Sequence, residues 1–147
     1  MAKAKEPRLG SFFRVTLGGK DSIGVFREVS GLSSETELIE QSEVDARGQA
    51  FVRMLPGARK WGDITLKRGV DNNLDLWKWR QQAEEEGPDA ARVDGTIELL
   101  DAQGRPVATY TFRRGWPSKY QGPDLNAASS DVAIETIEIT HEGLERT

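Results

Sequence analysis

The fold is decided by the last third of the chain, which reads RRGWPSKYQGPDL over residues 113–125 and DVAIETIEITHEGL over residues 131–144. The first segment combines aromatic residues, glycine and proline, and it predicts a rigid structural corner built from Trp116, Pro117 and Tyr120. The second segment predicts the C-terminal strand, and the order of its apolar residues is unusual.

This predicted strand changes the parity of its apolar residues halfway along. Val132 and Ile134 share one parity, whereas Ile137 and Ile139 share the other. Successive side chains of a strand point to opposite faces, so both faces are apolar here unless a bulge rotates the second half. Because a small domain has one core, a second apolar face predicts burial against another copy of the chain. Ile137 and Ile139 are therefore candidates for an interface between subunits.

Length and composition limit the class of protein. The 147 residues predict a single domain over residues 1–147, long enough to bury a core. The net charge is −4, whereas nucleic-acid binding usually requires a basic excess, so no direct nucleic-acid partner is expected. The absence of cysteine excludes disulfides and thiolate metal sites. Residues 1–10 are predicted to form a flexible polar arm without the apolar region of a secretory signal.

The hydrophobic pattern predicts a mainly β (α+β) protein. Alternating apolar residues and turn signals indicate about seven strands with short connections. A single convincing helix is predicted over residues 74–86, with Leu76, Trp79 and Ala83 on its buried face. This arrangement favours a small antiparallel β-barrel or sandwich with one external α-helix.

Two neighbouring segments in the first half of the chain do not fit a simple core strand. Residues 33–43 are solvent-rich in character and carry four acidic side chains: Glu35, Glu37, Glu40 and Glu43. Residues 44–59 resist assignment, because the apolar residues Phe51, Val52, Met54 and Leu55 lie between polar turns. A structureless excursion of this length in a small domain is usually functional or disordered, so an extended loop is predicted there.

A basic stretch over residues 53–68 has Phe51 and Trp61 nearby, which is one pattern of a nucleic-acid site. Its acidic flanks and the negative net charge argue against that interpretation. Contact with an acidic surface of a neighbouring subunit is the preferred interpretation.

No catalytic, cofactor or metal site is predicted. His141 is the only histidine, and it lacks a nucleophile pattern and partner ligands at usable spacing, so a satisfied or interface histidine is the better interpretation. The turn at residues 18–22 lacks the first glycine and the Ser or Thr of a phosphate loop. Residues 71–82 lack the glycine and the final glutamate of a calcium loop. We therefore expect a protein without enzymatic activity.

Seven short segments, spread over nearly the whole chain, share their order and spacing with a known family. They read FREVSGL (26–32), MLPG (54–57), ITLKRG (64–69), LWKW (76–79), LDAQGRP (100–106), WPSKY (116–120) and AIETIEITHEGL (133–144). Together they resemble the inner tube, or tail tube, proteins of contractile phage tails. The resemblance is greatest to the tube subunit of phage-like contractile injection systems.

This resemblance implies hexameric rings of barrel-like subunits that stack helically into a hollow tube. A contracting sheath would drive the tube through a target envelope, and a protein cargo could travel in the lumen. The implied partners are other copies of the chain, the sheath protein, and baseplate, initiator and terminator proteins. Assembly would take place in the bacterial cytoplasm, and the finished particle would stay there, be released, or form part of a virion.

The resemblance also gives roles to the two unusual segments. The excursion would reach the neighbouring ring and become ordered only there, which makes its apolar residues and Arg59 candidates for an inter-ring contact. The acidic side chains of residues 33–43 would face either the lumen or the sheath. Elongation is expected to need an initiating baseplate, because an uncontrolled filament would be harmful.

Three other interpretations remain open on the sequence alone. Two are structural: the tail tube of a true phage, which would conduct DNA, and a non-contractile or type VI secretion tube, which shares the fold but should match the segments poorly. The third is a monomeric carbohydrate-binding β-sandwich that uses tryptophans as sugar platforms, with four candidates: Trp61, Trp77, Trp79 and Trp116. Two of these fall on the predicted helix, where packing in the core is the better interpretation.

Overall fold

The computed structural model describes residues 12–18, 22–124 and 133–147. The predicted N-terminal arm and Val132 lie outside these ranges. The described residues form ten strands and two helices. In chain order they are β1 Phe12–Leu17, β2 Ser22–Phe26, β3 Glu28–Ser30, β4 Ser34–Val44, β5 Ala50–Trp61, β6 Ile64–Gly69, α1 Asp75–Glu86, α2 Pro88–Ala91, β7 Val93–Leu100, β8 Pro106–Gln121, β9 Ile134–Thr140 and β10 Gly143–Arg146.

Eight of the strands form one antiparallel sheet that closes on itself. Its order is β2-β1-β7-β8-β9-β6-β3, and β10 adds to β8. Only Arg27 separates β2 from β3, so the two ends of the sheet meet, and the Arg27 amide donates to the carbonyl of Lys67 at 3.1 Å. The prediction of a mainly β protein with an antiparallel barrel is confirmed. The strand number is higher than about seven because β3 and β10 have only three and four residues, and because β5 lies largely in the predicted loop over residues 44–59.

The core lies inside this barrel. It is formed by every second side chain of the strands. Val15, Phe26, Ile97 and Phe112 are among its fully buried members. The Phe112 ring fits because a glycine faces it: a Cβ added at Gly95 would lie 2.4 Å from its Cζ.

Strand β9 shows no change of parity. Glu135, Ile137, Ile139 and His141 are all buried, and the register with β6 runs without a break. The structure places Ile137 and Ile139 in the core of the subunit, both with 0% exposure, and not on a second apolar face. The sequence pattern is misleading because Glu135 occupies a core position, where the guanidinium of Arg68 compensates its charge.

The predicted corner at residues 116–120 is part of one long strand. β8 has sixteen residues. It pairs with β7 as far as Gly115, directly after Arg114, whose φ is 50°, and it pairs with β9 from Trp116 onward. Pro117 is buried, and Trp116 packs half-buried against the core. A register shift directly after Pro117 accommodates this proline, which has no N–H for the ladder.

Helix α1 packs on the outside of the barrel, as the sequence predicts. Leu76, Trp79 and Ala83 form its buried face. The helix is attached at two further points: the Trp79 indole donates to the carbonyl of Ala91 at 2.8 Å, and Arg80 donates to the carbonyl of Pro117 at 2.8 Å. These contacts fix α1 and α2 to the barrel wall.

Candidate functional site

Strands β4 and β5 form a separate two-stranded sheet, the β4–β5 hairpin. The predicted loop over residues 44–59 is therefore corrected: only residues 45–49 form a turn. Asp45 builds this turn, because its Oδ1 accepts hydrogen bonds from the amides of Arg47 and Gln49 at 2.8 and 2.9 Å. The residues beyond it form a regular strand within the subunit itself.

The β4–β5 hairpin is long and almost wholly exposed. Its strands have 11 and 12 residues, which corresponds to roughly 36 Å at about 3.3 Å per residue. A hairpin of two strands alone is only marginally stable in water, because it has no third element to bury its side chains. The hairpin is therefore expected to be covered by another molecule.

Directly opposed residues of the two strands share a face, so the register defines the two surfaces of the hairpin. An extra residue of β5 shifts this register between Thr36 and Leu38. One surface, the apolar face, carries Leu38, Val44, Val52, Met54 and Pro56, with Glu40 and Arg59 among them. The opposite surface, the mixed face, carries Ile39, Phe51 and Leu55 with Glu35, Glu37, Glu43, Arg53 and Lys60.

The apolar face exposes large side chains along β5 and at two positions of β4. Leu38 is 66% exposed, Val44 68%, Val52 59% and Met54 49%. Contiguous exposed apolar surface of this kind is typical of an interaction site. The predicted interface residues are thus divided: Val52, Met54 and Arg59 lie on the apolar face, and Phe51 and Leu55 lie on the mixed face.

The acidic side chains of β4 are partly compensated by β5. On the mixed face Glu43 pairs with Arg53 at 3.5 Å and Glu37 pairs with Lys60 at 3.8 Å. Such exposed pairs add little to stability, since water and salt screen them. Glu40 lies on the other face, so the four predicted acidic residues do not share one surface.

The root of the hairpin is tightly built. Gly31 has a φ of +83°, and a Cβ there would lie 1.9 Å from the carbonyl oxygen of Asp63. The amide of Gly62 donates to the carbonyl of Ser33 at 3.2 Å. The ring nitrogens of His141 lie 3.0 Å from the carbonyl oxygens of Gly62 and Gly143, which links the root to β10. His141 is 8% exposed, and both its ring nitrogens lie against backbone carbonyls of the subunit, so it is a structural residue at the root of the hairpin.

A buried polar cluster lies inside the barrel, and no sequence pattern indicates it. Arg68 Nε donates to Glu135 Oε1 at 2.5 Å, and Tyr120 Oη donates to Glu135 Oε2 at 2.7 Å. Arg68 also donates to the carbonyl of Ile23 at 2.9 Å. Burial, and after it the hydrogen bond to Glu135, raises the pKa of Tyr120 from 10.0 to about 12. Both carboxylate oxygens of Glu135 are engaged within the protein, so this cluster is structural.

The described part of the chain contains no group of three or more His, Asp or Glu side chains that could hold a metal ion. Among its helices, none is long and apolar enough to cross a membrane.

The family model of the T4-like virus tail tube protein gp19 matches residues 11–145. The chain belongs to this tail tube family. It is a structural, non-enzymatic tail tube protein of a contractile injection system. No curated protein sequence matches the chain significantly.

Solved structures agree with this assignment. The tail tube protein is similar to a chain of the PVC sheath–tube complex, an extracellular contractile injection system in its extended state, with 26% identity, a TM-score of 0.78, and coverage of 96% of this chain and 91% of that one. It is also similar to a chain of the PVC sheath/tube terminator, with 25% identity, a TM-score of 0.80, and 99% coverage of both chains.

A type six secretion system protein is more distant in fold, with 14% identity, a TM-score of 0.57, and coverage of 92% of this chain and 82% of that one. Hcp1 from Flavobacterium johnsoniae has 19% identity and a TM-score of 0.55, and the match covers 92% of this chain and 94% of that one. The tryptophans also give little support to a sugar platform. Trp79 is buried with its indole N–H bonded, Trp61 and Trp116 are half-buried, and the exposed Trp77 packs edge-on against Tyr120.

Proposed function

We propose that copies of this tail tube protein form hexameric rings that stack into the inner tube of a contractile injection machine. Contraction of a surrounding sheath would drive this tube through a target envelope, with a protein cargo in its lumen. The single observation that carries the proposal is the family match over residues 11–145. The exposed β4–β5 hairpin supports it, because two strands alone are only marginally stable in water and contiguous exposed apolar surface is typical of an interaction site.

The β4–β5 hairpin is the proposed contact between subunits. Val52 and Met54 on its apolar face, and Phe51 and Leu55 on its mixed face, would be buried against neighbouring copies, within the ring and in the next ring. A contact between different surfaces of identical subunits does not close on itself, so stacking yields a filament. Six copies at a net charge of −4 each carry −24 per ring. Apolar burial and local ion pairs must offset that repulsion.

We propose further that the tube assembles with a sheath, a baseplate that starts elongation and a terminator that ends it. Similarity to chains of PVC sheath–tube and terminator structures, and to a chain of the anti-feeding prophage baseplate, supports these partners. Assembly in the bacterial cytoplasm followed by release of the particle fits the extracellular nature of the PVC system.

Negative-stain electron microscopy of the purified protein, together with its mass in solution, tests this function. Hexameric rings or hollow tubes are expected, either from the protein alone or after addition of baseplate and sheath components. A protein that stays monomeric at high concentration in both preparations would contradict the proposal. Rapid growth of the protein alone into tubes of variable length would contradict the need for a baseplate while supporting the tube itself.

A DNA-conducting phage tail is the second candidate, since the matching family model describes a phage protein. The two differ in what the purified particles contain. Nuclease-protected DNA in particles with capsids would favour the phage, and protein in the lumen of capsid-free particles would favour the injection system.

A further inference from the structure

His141 lies between β9 and β10, beside the root of the hairpin. It is 8% exposed, and it is the only histidine of the chain. Its ring lies against two aromatic side chains of other strands: the ring centres are 6.0 Å from Trp61 of β5 and 6.4 Å from Phe112 of β8. The imidazole is therefore held where the chain passes from β5 of the hairpin into β6 of the barrel.

Both ring nitrogens of His141 face an acceptor. Nδ1 lies 3.0 Å from the carbonyl oxygen of Gly143, and Nε2 lies 3.0 Å from the carbonyl oxygen of Gly62. A carbonyl oxygen can only accept a hydrogen bond, and a neutral imidazole has a single N–H to donate. In either tautomer, a neutral ring would turn the lone pair of its second nitrogen toward a carbonyl oxygen. Only the imidazolium, with a proton on each nitrogen, donates to both carbonyls.

The charged side chains on the elements around the ring are engaged with other groups. They are Glu142 with Arg114 at 2.9 Å, Arg113 with Glu145 at 3.4 Å, Lys60 with Glu37 at 3.8 Å, Asp63 with the Thr140 hydroxyl at 3.2 Å, and Arg59 with the Trp61 ring at 5.5 Å. Within the described residues, no carboxylate forms an ion pair with His141. Any positive charge on the ring is compensated by the two carbonyl dipoles and by Trp61, since an indole ring attracts a cation within about 6 Å of its centre. Burial opposes the charge, whereas hydrogen bonds to the charged form favour it.

We propose that His141 is an imidazolium in the folded protein and acts as a pH-sensitive pin between the hairpin and the barrel. With both protons, the ring donates to Gly62 on one side and to Gly143 on the other, and so it joins the end of the hairpin to β10. When the ring loses one proton, one of these hydrogen bonds is lost. Because the unfolded chain offers the ring only water, the folded protein favours the second proton, so the contribution of the pin is present at low pH and is lost as the pH rises. The pin belongs to the single subunit and does not depend on the proposed assembly.

Gly62 is the residue through which the pin acts on the hairpin. Its carbonyl accepts from His141, and its amide donates to the carbonyl of Ser33 at 3.2 Å, directly before β4. A Cβ added at Gly62 would lie 2.3 Å from Ser33 Oγ, so the two ends of the hairpin approach closely here. Weakening of the pin is therefore expected to open the root of the hairpin and to leave the core of the barrel unchanged.

NMR of the ring nitrogens tests the charge directly, because the chain has no second histidine whose signals overlap. The matched control is Gln103→His, which adds a reference imidazole in the exposed turn between β7 and β8 of the same folded protein. An exposed imidazole is about nine-tenths neutral at about pH 7.5. At this pH, both ring nitrogens of His141 are expected to carry a proton, while the reference ring is neutral. If His141 loses its second proton together with the reference ring or before it, the proposal is wrong.

Hydrogen exchange at the Gly62 amide tests the effect on the hairpin. Protection, corrected for the intrinsic exchange rate, is compared at about pH 6 and about pH 9, on either side of the range in which histidine changes its charge. In wild type it is expected to fall about tenfold, whereas in His141→Gln, which cannot change its charge, it should be the same at both pH values. The amide of Ile97, in the middle of β7, is the internal control and should keep its protection.

Constant protection of Gly62 in wild type would overturn the proposal, as would an equal fall in His141→Gln. The NMR comparison keeps His141 in place, so it decides the charge of the ring even if His141→Gln does not fold. Both measurements use the subunit in solution. Failure of the protein to form rings would contradict the proposed function and leave the pin unaffected.

Discussion

Arg68 and Glu135 are a buried ion pair with 4% and 5% exposure, and they occupy core positions of β6 and β9. Taking both charges out of water is costly, and their attraction and further hydrogen bonds offset that cost only while both partners are present. The pair therefore acts as one unit, and its two residues should be tested together.

Arg68→Met is expected to destabilise the folded protein by about 3–5 kcal/mol, because the Glu135 carboxylate stays buried without its cation. The double variant Arg68→Met/Glu135→Leu removes both charges and should recover most of this loss. Urea unfolding of the two variants and wild type gives the comparison. A double variant that is no more stable than Arg68→Met would show that the charge of Glu135 is not the cause.

Tyr120 makes the stability of the protein depend on pH in the alkaline range. Its pKa is raised from 10.0 to about 12 in the folded protein, so the folded state holds the phenol proton more tightly than the unfolded state. This contribution is fully present below pH 10 and is lost as the pH rises through about 12. We expect the free energy of unfolding to fall more steeply over this range for wild type than for Tyr120→Phe. An equally steep fall in the free energy of unfolding of the two proteins would contradict the raised pKa of Tyr120.

At the scale of single residues, the sequence predicts which residues are buried where apolar residues recur at the spacing of a helix or a strand. Leu76, Trp79 and Ala83 are recognisable because helical spacing puts them on one face. Ile137 and Ile139 are misassigned from the sequence because the charge of Glu135 hides a core position. A charged residue in the core is recognisable only once its partner is known, and Arg68 lies 67 residues away in sequence.

At the scale of the element, the β4–β5 hairpin is the part of the fold that sequence reasoning misses. β5 is apolar on both faces and contains Pro56 and Gly57, so neither alternation nor composition indicates a strand. Its structure depends on the turn formed by Asp45 and on pairing with β4. Helix α1 is predictable because the spacing of its apolar residues can be read within a single segment of about a dozen residues.

The root of the hairpin is expected to be far less tolerant of substitution than its turn. Gly31 and Gly48 both have positive φ values, +83° and +77°, but an added Cβ meets the Asp63 carbonyl at Gly31 and nothing within 4 Å at Gly48. Gly48→Ala should cost about 1–2 kcal/mol, the cost of the left-handed conformation alone. Gly31→Ala must also displace backbone and should cost more. Thermal unfolding of the two variants measures the difference, and equal losses would contradict the steric argument.

At the scale of the whole molecule, different parts of the tail tube protein serve folding and assembly. The closed barrel and α1 hold the buried core, whereas the β4–β5 hairpin holds the exposed apolar surface. Substitutions on the apolar face should therefore change association without changing the fold of the subunit. The sequence resemblance identifies the tail tube family correctly and points to residues 44–59 as a contact between copies, but it does not show that this segment forms a hairpin with β4.

Met54→Asp is expected to abolish tube assembly, because it places a charge in a contact that is apolar in the assembled state. The melting temperature should stay close to that of wild type, since Met54 is 49% exposed in the subunit. Electron microscopy and calorimetry of the variant measure both effects. Ala102→Asp, which adds the same charge in the turn between β7 and β8, is the control and should assemble normally. If the Met54→Asp variant forms tubes of unchanged length, Met54 does not lie in the interface between copies.

The tight root of the hairpin has a mechanical consequence. The backbone at Gly31 lies so close to the carbonyl of Asp63 that no side chain fits between them, and the His141 contact to Gly62 holds the second strand to the barrel wall. A load applied to the barrel is thus transmitted to the hairpin through a stiff joint. A pull along the strands would load all hydrogen bonds of the ladder at once, whereas peeling from the turn would break them one after another. The hairpin should resist thrust along its length far better than bending across it.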